Sequence, residues 1–259
     1  MPRRVGSISL HWLGVLWLAL AAPASAAGGE PQIVPVAVAT NFLPVARQLA
    51  HLFEARTGYQ LTLMAGSSGK LYAQIRQGAP YDVLLSADQD KPARLEALGL
   101  TVAGQRFVYA TGRLVIWAGP GRVVDGPQRL RQEQPLALAN PRLAPYGQAA
   151  IQVLEHLGLS ADASRWVLGD SVGQAAGFVA TGHARLGLVA WSLVPATQRD
   201  QVWHVPAAWH DPIHQEAVLL ARGASKPAAR AFFRWLQGNE AQAQIVAAGY
   251  AVDLAQALH

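Results

Sequence analysis

The sequence predicts an α/β protein of two lobes, each built on a mostly parallel sheet flanked by helices, with two chain crossings between the lobes. Apolar runs of strand type alternate with helical patterns, and they do so in two successive series. A strand-like stretch without a linker rich in Pro or Gly connects the two series, and a late strand leads to two further helices. This order of elements predicts short, strand-like crossings.

The first series supplies the elements of the first lobe. We predict strands at 34–39, 59–64 and 82–85, and helices at 44–57, 70–77 and 92–98. In the first helix the apolar residues Val45, Leu49 and Phe53 recur at the helical period. The helix is expected to end at Thr57, because Gly58 can adopt the left-handed conformation of a helix cap.

The second series follows the strand-like stretch at 106–117. We predict strands at 113–118, 136–139 and 186–190, and helices at 148–157 and 171–181. A strand at 216–221 and helices at 227–236 and 241–248 complete the chain. We therefore assign residues 27–110 and 215–259 to lobe 1 and residues 111–214 to lobe 2.

The N-terminus has the pattern of a secretory signal peptide. Arg3 and Arg4 precede an apolar run at 8–22, and Ala-Ser-Ala follows at 24–26. The run is shorter than the roughly 20 residues that span a membrane, although an uncleaved anchor is the alternative. We predict a signal peptide over residues 1–26 and a mature protein that starts at Ala27 in the periplasm.

Composition narrows the class of partner. The chain has no cysteine, so it has neither a disulfide framework nor a cysteine that could carry a lipid. Of its 21 Lys and Arg, two lie in the leader, and the remaining 19 face 16 Asp and Glu. No basic cluster with interleaved aromatic residues occurs, which argues against a nucleic-acid partner. Because only 14% of the residues are charged, an anion site is expected to use neutral donors.

Four turns between strands and helices carry small hydroxyl, amide or glycine residues. The first turn of a helix leaves N–H groups unpaired and partially positive, so several such turns in one crevice can hold an anion. In open α/β sheets that crevice lies beyond the carboxyl ends of the strands. The turns are at 39–42, 65–70, 140–147 and 170–174.

Each turn also has a purely structural interpretation. Thr40, Asn41, Ser68 and Ser171 are residue types that commonly cap helices. The glycines at 66 and 69 can be explained as residues that relieve backbone strain.

Enzyme and metal sites have less support. The Gly-Ser-Ser-Gly-Lys segment at 66–70 matches neither a P-loop nor a nucleophile elbow, and no nucleophile–base pair is evident. A metal site at His204, His210 and His214 is the other alternative, but Pro212 makes a shared helical face for the last two improbable. No cofactor is expected.

Taken together, the motifs resemble those of the periplasmic molybdate-binding proteins of ABC transporters. The match keeps a consistent order from about residue 34 to 252. It includes Ala-Thr-Asn-Phe at 39–42, Gly-Ser-Ser-Gly at 66–69, Tyr-Ala-Gln-Ile at 72–75, Gly-Ala-Pro-Tyr-Asp-Val at 78–83, Ser-Ala-Asp at 86–88, Ala-Asn-Pro at 139–141, Ala-Pro-Tyr-Gly at 144–147, Ser-Val-Gly-Gln at 171–174, Leu-Gly at 186–187 and Ala-Gly-Tyr at 248–250.

The resemblance implies a type II periplasmic-binding-protein fold, with molybdate or tungstate bound between the lobes by hydroxyl and N–H groups. Lobe 1 would contribute the hydroxyl and N–H of Thr40, the N–H of Asn41, and the hydroxyl and N–H of Ser68. Lobe 2 would contribute Tyr146 through its turn and the N–H of Val172. The implied partners are the membrane permease subunits of an ABC transporter, and the protein is expected to be a monomer.

The sequence departs from many members at two places. Thr40 and Asn41 stand where many have Ala-Ser, and Ala190 stands where many have a tyrosine. The chain resembles the variant in which a different turn supplies the tyrosine, here Tyr146. A binding protein for sulfate, phosphate or a carboxylate is the alternative, and a phosphate site would need an acceptor such as Asp88 or Asp170. A secreted enzyme on the same fold is a second and less favoured alternative.

Overall fold

The computed structural model describes Met1 and residues 32–159 and 163–252. The predicted signal peptide and its cleavage site lie outside the described residues, apart from Met1. In chain order the elements are β1 (Ile33–Ala39), α1 (Leu43–Thr57), β2 (Gln60–Gly66), α2 (Ser68–Arg76), β3 (Val83–Leu85), α3 (Asp90–Ala97), β4 (Thr101–Gly112), β5 (Leu114–Trp117), α4 (Arg129–Gln132), β6 (Leu136–Ala139), α5 (Pro145–His156), β7 (Trp166–Gly169), α6 (Val172–Ala180), β8 (Leu186–Ala190), β9 (Trp203–His204), β10 (Ile213–Leu220), α7 (Pro227–Trp235) and α8 (Asn239–Ala247).

Two five-stranded sheets form the framework. The first has the order β2-β1-β3-β10-β4 and the second the order β7-β6-β8-β5-β9. In each sheet four strands run in one direction and one, β10 or β5, is antiparallel to its neighbours. We call the part of the chain built on the first sheet lobe 1 and the part built on the second sheet lobe 2.

Lobe 1 has helices on both faces of its sheet because successive side chains of a strand point to opposite faces. Val36 packs in a cluster that contains Phe53 of α1 and Phe232 of α7. Its neighbour Ala37 packs in a second cluster with Leu71 of α2 and Leu95 of α3. The central strand β1 is therefore apolar on both faces, as expected for a strand of a covered parallel sheet.

Lobe 2 repeats this plan around one large core. Residues of β5, β6 and β8 are buried together with the inward faces of α5 and α6. All four residues of β6 and all five of β8 are buried. Helices α5 and α6 follow the parallel neighbours β6 and β7, so their starts lie at the same edge of the sheet.

The chain passes between the lobes twice, at adjacent positions. It leaves the first sheet after Gly112 and enters the second at Leu114. It returns between His204 and Ile213, and Ile213 pairs with Gly112 in the antiparallel ladder of β10 and β4. The two crossings therefore form one paired hinge.

The predicted elements are confirmed, with three differences. The stretch at 106–117 is divided between two sheets, because the hinge interrupts it after Gly112. Four helices, α2, α3, α5 and α8, and the strand β10 begin two or three residues earlier than predicted. Three short elements were not predicted, namely the half-exposed edge strand β7, the two-residue strand β9 and the four-residue helix α4. The left-handed cap at Gly58 is confirmed, with φ of 73°.

None of the helices in residues 32–159 and 163–252 is long and apolar enough to cross a membrane.

Candidate functional site

The five predicted ligand residues line one cavity between the two lobes. The cavity has a volume of about 180 Å³, including its open mouth. Its walls are the turn after β1, the start of α2, the loop after β3, and the starts of α5 and α6. They consist of Ala39, Thr40, Asn41, Gly66, Ser67, Ser68, Ala87, Ala144, Pro145, Tyr146 and Val172.

In lobe 1 the turn after β1 presents Thr40 and Asn41. The N–H of Thr40 donates to the carbonyl of Gly66 at 3.1 Å, so it is not available to a ligand. The Thr40 hydroxyl accepts the N–H of Gly173 from lobe 2 at 3.1 Å and keeps its own proton for donation. Of the two Thr40 groups that the resemblance suggested, the hydroxyl is therefore the available one.

Ser68 is the first residue of α2, and its side chain is buried. Its Oγ accepts the N–H of Ala87 at 2.9 Å, which leaves the hydroxyl proton for a ligand. The cap of the helix is the preceding residue, Ser67, whose Oγ accepts from the N–H of Lys70. The interpretation of Ser68 as a helix cap is thus wrong, because the helix begins at Ser68 itself, one residue earlier than that role requires.

In lobe 2 the candidate donors are backbone N–H groups at the starts of two helices. Tyr146 is the second residue of α5 and Val172 the first residue of α6. Ser171 caps α6 and accepts from the N–H of Gln174 at 3.2 Å, so its interpretation as a cap is confirmed. The Tyr146 hydroxyl points away to the hinge, where Gln215 donates to it at 3.3 Å. The backbone N–H of Tyr146 is therefore the group available at the helix start.

These residues give the cavity six unpaired donors. The N–H groups of Asn41, Ser68, Tyr146 and Val172 have no acceptor within the described ranges. The hydroxyls of Thr40 and Ser68 add two protons. N–H groups at helix starts and free hydroxyls are the donors that hold an oxyanion without a cation. The arrangement can therefore bind a small anion with several oxygen atoms.

A buried polar network lies between the cavity and the hinge. Gln215 of β10 accepts from the Asn41 side chain at 2.8 Å and also contacts the Tyr146 hydroxyl. The Tyr250 hydroxyl lies 2.9 Å from the Asn41 carbonyl and 2.8 Å from Ser192 Oγ. The network joins turns of both lobes to a crossing strand. Sequence reasoning gave no role to Gln215, Tyr250 or Ser192, although Tyr250 belongs to a motif of the resemblance, because these residues meet only in the fold.

The cavity has no group that titrates near neutral pH. Burial raises the pKa of the Tyr146 hydroxyl well above its ordinary value, and the nearby Tyr250 raises it further. Burial likewise raises the pKa of Tyr250, although hydrogen bonds with Ser192, Asn41 and Gln215 oppose the change. No Asp, Glu, Lys, Arg or His is among the residues that line the cavity. The cavity wall therefore keeps the same charge over the physiological range.

The acceptors suspected for a phosphate site lie elsewhere. Asp170 pairs with Lys70 at 2.5 Å, and Asp88 accepts from the N–H of Lys91 at 2.9 Å. Neither residue lines the cavity. Asp88 instead lines a larger neighbouring groove of about 580 Å³, together with Asp90 and Asp211. Three carboxylates make this groove unsuitable for an anion.

The three histidines considered for a metal site have separate surroundings. His204 lies against the ring of Trp191, with ring centroids 4.6 Å apart. The Nδ1 atom of His210 lies 2.7 Å from the carbonyl of Asp211, and that of His214 lies 3.0 Å from the Thr111 hydroxyl. In the part of the chain that the structure describes, no group of three or more His, Cys, Asp or Glu could hold a metal ion.

Two lobes on separate sheets, a paired hinge and a small polar cavity between the lobes define a solute-binding protein of the type II periplasmic class. Residues 34–251 match the family of bacterial extracellular solute-binding proteins. The molybdate-binding protein ModA of Azotobacter vinelandii is 44% identical over 248 residues, which cover 93% of this chain and 98% of that protein. The molybdate-binding protein ModA of Rhodobacter capsulatus is 41% identical over 253 residues, 96% of this chain and 97% of that protein.

A solved structure gives the same result. The periplasmic molybdate-binding protein of Azotobacter vinelandii superimposes with a TM-score of 0.81 at 41% identity, covering 85% of this chain and 99% of that chain. The chain therefore belongs to the bacterial extracellular solute-binding proteins, and within them to the group of ModA proteins.

Proposed function

We propose that this protein captures molybdate, and tungstate alike, in the cavity between its lobes and delivers the ion to the permease subunits of an ABC transporter. The observation that carries the proposal is the set of six unpaired donors from both lobes in a cavity wall without a charged side chain. The two ModA relatives are named for binding molybdate, which supports the same ligand and a binding protein rather than an enzyme.

The donor number is sufficient for useful affinity. A hydrogen bond to a charged group contributes about 1.5–3 kcal/mol, and micromolar binding corresponds to about 8 kcal/mol. Six such bonds exceed this value, and the excess offsets desolvation of the dianion and closure of the lobes. We assign the donors to the Thr40 hydroxyl, the Asn41 N–H, the hydroxyl and N–H of Ser68, and the N–H groups of Tyr146 and Val172.

Selectivity is assigned to the size of the cavity. Sulfate has the same charge and shape as molybdate on a smaller tetrahedron, so donors on rigid helix starts cannot all reach it. Phosphate that carries a proton requires an acceptor, and neither Asp88 nor Asp170 lines the cavity. Titration calorimetry with molybdate, tungstate, sulfate and phosphate tests this proposal. Tighter binding of sulfate than of molybdate would identify a sulfate-type protein instead.

The remaining features of the proposal concern the whole chain. We propose that residues 1–26 are a signal peptide, that the mature protein is a periplasmic monomer starting at Ala27, and that it has no nucleic-acid partner. We divide it into lobe 1, residues 27–110 and 215–259, and lobe 2, residues 111–214. The two crossings after Gly112 and before Ile213 support this division. N-terminal sequencing of the exported protein tests the cleavage site, and recovery of Met1 from membranes would contradict it.

A further inference from the structure

Two glycines, one in each lobe, contact the opposite lobe next to residues that line the cavity. Gly69 lies in the first turn of α2 in lobe 1, and its N–H donates to the Leu143 carbonyl of lobe 2 at 2.9 Å. Gly173 lies in the first turn of α6 in lobe 2, and its N–H donates to the Thr40 hydroxyl of lobe 1 at 3.1 Å. Each lobe therefore gives one glycine N–H to the other lobe, immediately beside a cavity donor.

Neither position has room for a side chain. A Cβ atom on Gly69 would lie 2.9 Å from the Leu143 carbonyl oxygen and 3.1 Å from its Cα. A Cβ atom on Gly173 would lie 3.0 Å from Thr40 Cβ and 3.2 Å from its Oγ1. These neighbours are backbone or the rigid base of a β-branched side chain, so they cannot turn away. A methyl group at Gly69 therefore requires Leu143 to shift, and one at Gly173 requires Thr40 to give by a few tenths of an ångström, so both oppose the close approach of the lobes.

The backbone itself does not require glycine at these positions. Neither Gly69 nor Gly173 has a positive φ, so the interpretation of Gly69 as a residue that relieves strain is wrong. All of the nearest atoms to the added Cβ belong to the opposite lobe. Gly147 differs, since its nearest atoms are the backbone of Ala139 and Pro141 in its own lobe. The approach of the opposite lobe, and not the backbone conformation, therefore explains why positions 69 and 173 carry no side chain.

We propose that Gly69 and Gly173 are positioning residues that set the distance between the lobes in the closed protein, and so fix the spacing of the donors around the oxyanion. The inference rests on the proposed function. Gly69 follows Ser68 directly, and Gly173 follows Val172 directly, so any separation at the glycines displaces a donor from each lobe. The ion pair between Lys70 and Asp170 joins the same two turns. Both of its side chains are about half exposed, so it adds little to the closure.

The test compares Gly69→Ala and Gly173→Ala with the matched control Gly177→Ala. Gly177 lies in α6 as well, but a Cβ atom there meets nothing within 4 Å. Calorimetry is expected to show that each of the first two substitutions weakens molybdate binding about five- to a hundredfold, because overpacking opposes closure. The control is expected to stay within about twofold of the wild type.

A second measurement separates positioning from a general structural effect. Alanine is a better helix former than glycine, so the melting temperature without ligand should hold or rise in all three variants. The compaction that molybdate causes in small-angle X-ray scattering should shrink only in Gly69→Ala and Gly173→Ala. In the double variant the loss should be smaller than the product of the single losses, because both substitutions hold the same lobes apart.

Each result has a distinct meaning. Wild-type affinity and full compaction in Gly69→Ala and Gly173→Ala would overturn the positioning role while leaving the proposed function intact. A lower melting temperature without ligand, combined with unchanged affinity, would also overturn it. Failure of the wild type to bind molybdate or tungstate would overturn the proposed function, and the inference with it.

Discussion

Replacing Ser68 by alanine is expected to weaken molybdate binding about ten- to a hundredfold. The Ser68 hydroxyl accepts from the N–H of Ala87 at 2.9 Å, so its own proton is free to donate to the ion. Alanine removes one charge-assisted hydrogen bond of about 1.5–3 kcal/mol, and each 1.4 kcal/mol corresponds to about tenfold in affinity. Titration calorimetry measures this change directly.

The same substitution has a second expected effect, on stability without ligand. Ala87 is buried, and the substitution leaves its N–H without the acceptor that it has in the wild type. An unsatisfied buried donor costs about 1–3 kcal/mol, which should appear in the free energy of unfolding by urea. The sequence had indicated only the smaller loss of a helix cap.

Ser171→Ala is the matched control for this prediction. It removes a true helix cap, which costs about 0.5–2 kcal/mol of stability, from a serine that does not line the cavity. Its affinity for molybdate should therefore fall much less than that of Ser68→Ala. An affinity of Ser68→Ala within about twofold of the wild type would refute the assignment of its hydroxyl to the ligand.

Three further outcomes are expected. Calorimetry should show that Thr40→Val lowers the affinity for molybdate about a hundredfold or more, because it removes both the cavity donor and the acceptor for the Gly173 N–H. The affinity of Thr40→Ser, which keeps the hydroxyl, should stay within about fivefold of the wild type. Molybdate affinity should be flat from about pH 6.5 to about pH 9, since the only titratable group of the cavity wall is Tyr146, whose pKa is raised; a tenfold change would contradict the donor set. Burial raises the pKa of the Glu216 carboxyl despite its ion pair with Arg106. As pH rises, the folded protein therefore keeps the carboxyl proton to a higher pH than the unfolded chain does. The stability that this protonated carboxyl contributes is lost as pH rises. Urea titrations should therefore show Glu216→Gln gaining on the wild type from about pH 4 to about pH 7, and a constant difference would contradict this.

Local chemistry made the positions of the cavity donors predictable. The turns that hold Ser68 and Val172 carry their signal within a few residues, because Ser67 and Ser171 are small polar residues of the kind that cap helix starts. The sheet of a parallel α/β lobe then brings those turns to one edge. The five residues that the family resemblance picked out from these turns line one cavity in the structure.

Features that depend on the approach of the two lobes were not predictable in this way. Position 69 has a glycine because the Leu143 carbonyl lies too close to leave room for a Cβ atom, and the two residues meet only in the folded protein. Pairing of the Thr40 N–H with Gly66, and of the Tyr146 hydroxyl with Gln215, similarly depends on contacts between distant segments. No pattern of composition or periodicity encodes such contacts.

The stabilisation of the protein by different oxyanions tests the central claim most directly. Ligand that binds only the folded state stabilises it by an amount that grows with the logarithm of the ligand concentration divided by the dissociation constant, and the melting temperature rises accordingly. Each donor that sulfate cannot reach leaves a buried group unsatisfied at about 1–3 kcal/mol, so two or three of them give discrimination of about thirtyfold or more. At equal concentrations, molybdate and tungstate should therefore each raise the melting temperature clearly more than sulfate or phosphate does. Equal stabilisation by sulfate at equal concentration would contradict the size argument and indicate a sulfate-type or general oxyanion transporter.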